Sequence, residues 1–173
     1  MKIFLSYARQ DGEQAKLIYL ALRDQGHSVF FDRADLPAGD EYHNRIREAI
    51  QDSGLFIFLA GPAALDAGSY TLTELEIAEK SRRRLLPVLL GGVEVSALPP
   101  QLKAVTVLQP DGNVVASVAA DVHRIAGKVR RTRLKQLGAA LCIVGLLGAG
   151  VFYGVQSRGQ DQILGKDGAP AVL

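Results

Sequence analysis

Three histidines and one cysteine are the residues of this 173-residue chain best suited to act as a general base, a nucleophile or a soft metal ligand. His27, His43 and His123 stand singly, with no partner at a spacing that a metal site or a catalytic triad needs, so no such role is expected of them. Cys142 is alone, which excludes a disulfide framework and a thiolate metal site. Neither a GxxxxGK(S/T) phosphate loop nor a GxGxxG dinucleotide turn occurs, so the common nucleotide cradles are absent. What chemistry remains depends on which side chains the fold gathers into one crevice.

The elements that would do the gathering can be read from apolar patterning. Lys2–Ser6 (KIFLS), Ser28–Asp32 (SVFFD), Leu55–Ala60 (LFIFLA), Leu85–Leu90 and Val105–Leu108 read as five short strands, apolar on both faces. Helical stripes alternate with them. Asp11 is placed to cap the first helix, whose inward face is Ala15, Ile18, Tyr19 and Leu22 and whose end is Gly26. Tyr42, Ile46, Ala49 and Ile50 mark the second, and Leu72 and Leu75 are expected inward on a third over Thr71–Ser81. Val114, Val118, Val122, Ile125 and Val129 stripe the last. This alternation predicts an α/β fold: a flavodoxin-like, five-stranded parallel sheet of order 2-1-3-4-5 with helices on both faces. Its ligand crevice would lie beyond the carboxyl ends of strands one and three, where the loops start at Ser6, Asp32 and Ala60. A phosphoryl-receiver domain of this shape needs acids after strands one and three and a lysine after strand five. The chain has Ser6-Tyr7, Ala60-Gly61 and Gln109-Pro110 there instead.

The run 137–155 (LGAALCIVGLLGAGVFYGV) is uncharged over 19 residues. As a helix it would extend about 28 Å, the thickness of a bilayer's hydrocarbon core. It is expected to be a transmembrane helix. Lys128, Arg130, Arg131, Arg133 and Lys135 make 128–136 a basic juxtamembrane linker, whereas the charges of the 156–173 tail cancel. That asymmetry predicts a single-pass protein, in a cell (inner) membrane, with residues 1–127 cytoplasmic and a short extracytoplasmic tail. Residues 1–127 alone carry 13 basic and 16 acidic side chains, so the net +2 of the chain comes from the linker. The linker favours anionic membrane lipid, and nucleic acid is not an expected partner. Gly150 with Gly154, and Gly145 with Ala149, give small-xxx-small spacings through which the span could self-associate.

Four blocks in order carry a family likeness: SYARQDGEQA, VFFDRADLPAGDEY, IFLAGPAALDAGSYTLTELEIA and RLLPVLL. Together they resemble a bacterial-type Toll/interleukin-receptor (TIR) domain, over roughly residues 1–127. In members of that family that cleave NAD, a glutamate follows an aromatic residue by four positions on the helix after strand three. By that resemblance Glu74 is the catalytic residue and Tyr70 its aromatic partner. The loop Arg33–Tyr42 resembles the family's BB loop, and Tyr7, Ala8 and Arg9 match the segment after strand one. The resemblance thus implies an NAD site formed by Tyr7, Ala8, Arg9, Asp32, Leu36, Pro37, Gly39, Tyr42 and Tyr70. Ala8 and Pro37 depart from the pattern, since family enzymes often have a basic residue and an acid there. No metal and no cofactor is implied, NAD being the substrate.

One carboxylate is sufficient for that reaction. The leaving nicotinamide is already a pyridinium, so no acid need protonate it, and an anion held against the ribose stabilises the oxocarbenium charge that develops. The expected function is an NAD glycohydrolase switched on by TIR self-association, in immune-type or anti-phage signalling. The alternatives are a non-enzymatic adaptor that recruits other TIR domains to the membrane and, less favoured, a nucleoside-glycosyl transferase of related fold.

Overall fold

Hydrophobic residues on every position of a six-residue strand demand cover on both sides, and Leu55–Ala60 is buried throughout. The computed structural model of the chain describes residues 1–31 and 40–132, the side chains of residues 40–42 excepted. Its sheet is parallel, with β1 (Lys2–Ser6), β2 (Ser28–Phe30), β3 (Leu55–Ala60) and β4 (Leu85–Leu89) in the order β2-β1-β3-β4. The helices are α1 (Gly12–Asp24), α2 (Asp40–Asp52), α3 (Tyr70–Lys80), the single turn α4 (Pro100–Lys103) and α5 (114–126). The chain divides into two compact units, Met1–Ala126 and Gly127–Leu173; of the second, residues 127–132 are described and are helical.

The two-residue period of the strands sorts the core into two layers. Ile3, Leu5, Leu55, Ile57, Leu59, Leu86 and Val88 form an aliphatic face against Ala15, Ile18 and Leu22 of α1 and Val118 and Val122 of α5. The other face is aromatic: Phe4, Phe56 and Phe58 pack against Ile46 and Ile50 of α2 and Leu75 and Ala78 of α3. Register aligns Phe30, Phe4 and Phe56 across three strands. Their rings stack at 5.2 and 5.4 Å between centroids, a ladder that adds about 1 kcal/mol per pair beyond burial.

Three expectations need correction. The fifth strand is reduced to one bridge between Val88 and Leu108, closed by Leu108 N–H to Pro87 O and Leu89 N–H to Leu108 O. Prolines stop it on both sides. The next ladder bonds would require N–H groups from Pro87 and from Pro110, and neither has one. Pro87 is tolerated inside β4 because its nitrogen faces this outer edge rather than β3. On α3 Leu75 is buried as expected and Leu72 packs half-buried on the same cluster, but the fully buried stripe is Thr71, Glu74, Leu75 and Ala78, centred further toward Glu74 than expected. Asp11 makes no side-chain cap to α1; it ends a 3-10 turn (Arg9–Asp11) at φ −92°, ψ 10°, outside the extended conformation that capping uses. Separately, no helix among the described residues is long and apolar enough to cross a membrane, and the span expected at 137–155 lies outside those residues.

Candidate functional site

Sheet period and helix phase together decide which side chains meet at the carboxyl end of β1. Ser6, the last residue of β1, lies two beyond Phe4 and so shares the face on which α3 packs. Glu74 falls on the buried stripe of α3, between Thr71 and Ala78. The two side chains therefore converge, and Ser6 Oγ donates a hydrogen bond of 2.6 Å to Glu74 Oε2. Both residues are 0% exposed. A carboxylate in such surroundings is costly to bury without donors, so this hydrogen bond matters more than one at the surface would.

The amino end of α3 is tied down independently. Thr71 Oγ1 donates to the Ala64 carbonyl at 2.6 Å, fastening the helix to the 3-10 turn Pro62–Leu65 that follows β3. Ser69 Oγ lies 2.7 Å from the same Thr71 oxygen. Glu74, one turn further on, is thus carried on a helix anchored to the end of β3.

Tyr70 opens α3 and is 38% exposed. Its ring stacks on His43 of α2 at 5.5 Å between centroids, and its hydroxyl is in hydrogen-bond contact with that imidazole, nearest to Nδ1 and 3.0 Å from Nε2. Tyr7 is half-buried. Its hydroxyl donates to the Phe31 carbonyl at 3.2 Å and its ring stacks on Phe31, which stacks in turn on Tyr19. Ala8 is buried in the aromatic-face cluster, and Arg9 is exposed on the 3-10 turn. Asp32, Leu36, Pro37 and Gly39 lie outside the described residues, as does the side chain of Tyr42. Among the described residues no cluster of three or more His, Cys, Asp or Glu could hold a metal ion.

Sequence reasoning missed two partners. Ser6 was legible in principle, as a polar residue on the even-numbered face of a buried strand that α3 must cover. His43 gave no signal, because it lies 27 residues from Tyr70 and meets it only through the packing of α2 on α3.

The sequence profile of the TIR domain matches residues 3–119. The chain belongs to the TIR domain family. Its TIR domain is 32% identical over 111 residues to the stimulator of interferon genes protein of Magallana gigas, an alignment covering 61% of this chain and 27% of that relative. The chain thus spans only about a quarter of that relative's length. Among solved structures it is similar to a metazoan TIR-STING receptor from C. gigas, with a TM-score of 0.55 and 27% identity over 68% of this chain and 40% of that one. The TIR domain of a Toll-related receptor from Hydra magnipapillata superposes with a TM-score of 0.53 at 22% identity, covering 62% of this chain and 82% of that domain, a likeness of fold.

Proposed function

We propose that this TIR domain hydrolyses the nicotinamide–ribose bond of NAD, with Glu74 as the anion that stabilises the oxocarbenium-like ribose. The observation that carries this reading is the Ser6–Glu74 pair: a carboxylate held by a hydroxyl at the end of β1, one helical turn beyond an exposed aromatic ring. A polar pair in that position does nothing for the core that two aliphatic side chains would not do better, which favours a chemical role. In this reading Tyr70 walls the nicotinamide, and Tyr7, Arg9, Asp32 and the 33–42 segment line the rest of the site. The carboxylate is fully enclosed, so NAD reaches it only after a rearrangement. Self-assembly of TIR domains is proposed as the trigger, at a membrane reached through the 137–155 run, in immune-type or anti-phage signalling.

The same enclosure favours a second reading. A Glu74 that never meets solvent would be a structural member of the core, and the domain an adaptor working through TIR–TIR contacts. One experiment separates them. The full chain, clustered by fusion to a multimerising scaffold, is incubated with NAD and nicotinamide is measured. Activity in the wild type that falls by about 100- to 1,000-fold in Glu74→Gln supports the glycohydrolase. Glu76→Gln and Glu79→Gln, on exposed positions of the same helix, should retain it. An active wild type with an equally active Glu74→Gln removes the assignment, and an inert clustered wild type leaves the adaptor.

A further inference from the structure

A cavity of about 460 Å³ opens at the carboxyl end of the sheet, away from Glu74, between the start of α1 and the start of α5. Leu89 and Leu90 at the end of β4, Pro110 and Val114 give it apolar walls, and Gln14 and Gln109 bring amides to it. Gly91 and Gly92 form one rim. Both have positive φ, 59° and 76°, in a tight turn closed by Val93 N–H to Leu90 O, so the backbone there carries no side chain to fill the space. The volume is within the range of small-molecule pockets.

Asp11 also lines this cavity, and its carboxylate is spent on nothing else that the described residues show. An aspartate at a helix N-cap ordinarily accepts from the helix's own N–H groups, a contribution of about 1 kcal/mol. Asp11 occupies that position on α1 and makes no such bond. Oδ2 is buried without a hydrogen-bond partner among the described residues. Glycine at residue 61 gives it room: a Cβ there would lie 2.3 Å from Oδ2. Burial pushes the Asp11 carboxyl above its ordinary range, as expected of an acceptor removed from water with no donor returned. No Lys, Arg or His lines the cavity, so a phosphate or carboxylate ligand would face Asp11 with no cation to hold it.

We propose that this cavity binds a small molecule with a compact apolar body and an N–H donor group: an amine, an amidine or an amino-substituted heterocycle. The donor meets the Asp11 carboxylate where it lines the cavity, and the body lies between Leu90 and Val114. The site is separate from the one built on Glu74 and does not depend on what that site does.

Benzamidine is a suitable probe, and benzoate its anionic counterpart of the same shape. Calorimetric titration of the purified full chain should show saturable benzamidine binding, with benzoate weaker by at least about tenfold. Asp11→Asn, which keeps the size and removes the charge, should weaken benzamidine by a similar factor. Val114→Phe, which narrows the cavity with Asp11 intact, should do the same, and it carries the test where Asp11→Asn fails to fold. Glu74→Gln should leave benzamidine binding unchanged. The proposal is overturned by the absence of saturable binding, by benzoate binding as tightly, or by unaltered affinity in the folded variants. Loss of binding in Glu74→Gln alone overturns it too, by placing the amidine on the other carboxylate.

Discussion

Ser6 Oγ and Glu74 Oε2 lie 2.6 Å apart although 68 residues separate them in sequence, and neither side chain reaches solvent. The pair joins the end of β1 to the second turn of α3 by a bond that water cannot replace. Ser6→Ala should therefore cost about 1–3 kcal/mol in a chemical denaturation series, the range for a buried charged acceptor that loses a donor. Ser6→Thr, which keeps the hydroxyl, should recover part of that loss. On the proposed reaction Ser6 is a positioning residue, and Ser6→Ala should also displace the pH profile of nicotinamide release. A stability equal to wild type would mean that the hydrogen bond contributes nothing.

The Tyr70–His43 pair sits in water, so its removal should be nearly silent in stability and visible only at the site. His43→Leu deletes both the stack and the hydrogen bond. Thermal unfolding should register about 1 kcal/mol or less. If Tyr70 walls the substrate, KM for NAD should rise in this variant while kcat holds; a fall in kcat with unchanged KM would contradict that role.

Gly61 has an ordinary backbone conformation (φ −80°), so its requirement for glycine is one of space alone. Gly61→Ala drives a methyl group into the Asp11 carboxylate and should destabilise the domain by about 1–3 kcal/mol. Asp11→Ala in the same chain should remove most of that penalty. A double-mutant cycle measures the coupling, and a value near zero would show that the carboxylate moves aside freely.

Stability should fall with acid through His27. Burial, chiefly, and then the positive N-terminal amine and His123 hold its pKa below the ordinary 6.5. The unfolded chain therefore binds the proton more readily than the folded one in the window from about 6.5 downward. The stability associated with neutral His27 is complete above that window and is lost as pH drops through it. Melting temperatures measured at pH 8 and pH 5.5 should differ less in His27→Gln than in the wild type; an equal difference would place the acid sensitivity elsewhere.

Several elements were readable in advance because local pattern and global packing agree. Lys2–Ser6 and Leu55–Ala60 were delimited as found, since continuous apolar runs bounded by turn residues leave no alternative of that length. The stripes of α1 and α5 were legible for the same reason, Ala15, Ile18, Leu22, Val118 and Val122 all being buried. What misled was the polar residues that break the rules of burial. Leu72 and Leu75 stand out as inward because they are apolar, and Leu75 is buried with Leu72 half-buried on the same cluster, but the buried Glu74 beside them is hidden by its residue type. Residue type alone marks Asp11 as a cap, whereas the 3-10 turn it ends sets its backbone outside capping geometry. The fifth strand failed on prolines that the apolar run Val105–Leu108 concealed, one of them in the neighbouring strand. TIR motifs pointed to Tyr70 and Glu74 as a pair, but only tertiary packing shows that they have different partners and opposite exposure.

The two prolines at the sheet's outer edge bear on how copies of this chain can meet. An open parallel edge invites a strand from another molecule, and a row of free N–H groups is the invitation. Pro87 takes a donor out of that row, Leu108 occupies the partners beside Val88, and Pro110 keeps its segment from continuing the ladder. At the opposite edge β2 offers three residues among those the structure describes. Growth of the sheet from one molecule into the next is therefore discouraged at both margins, which leaves helix faces and loops as the surfaces through which a filament or cluster of these domains would have to be built.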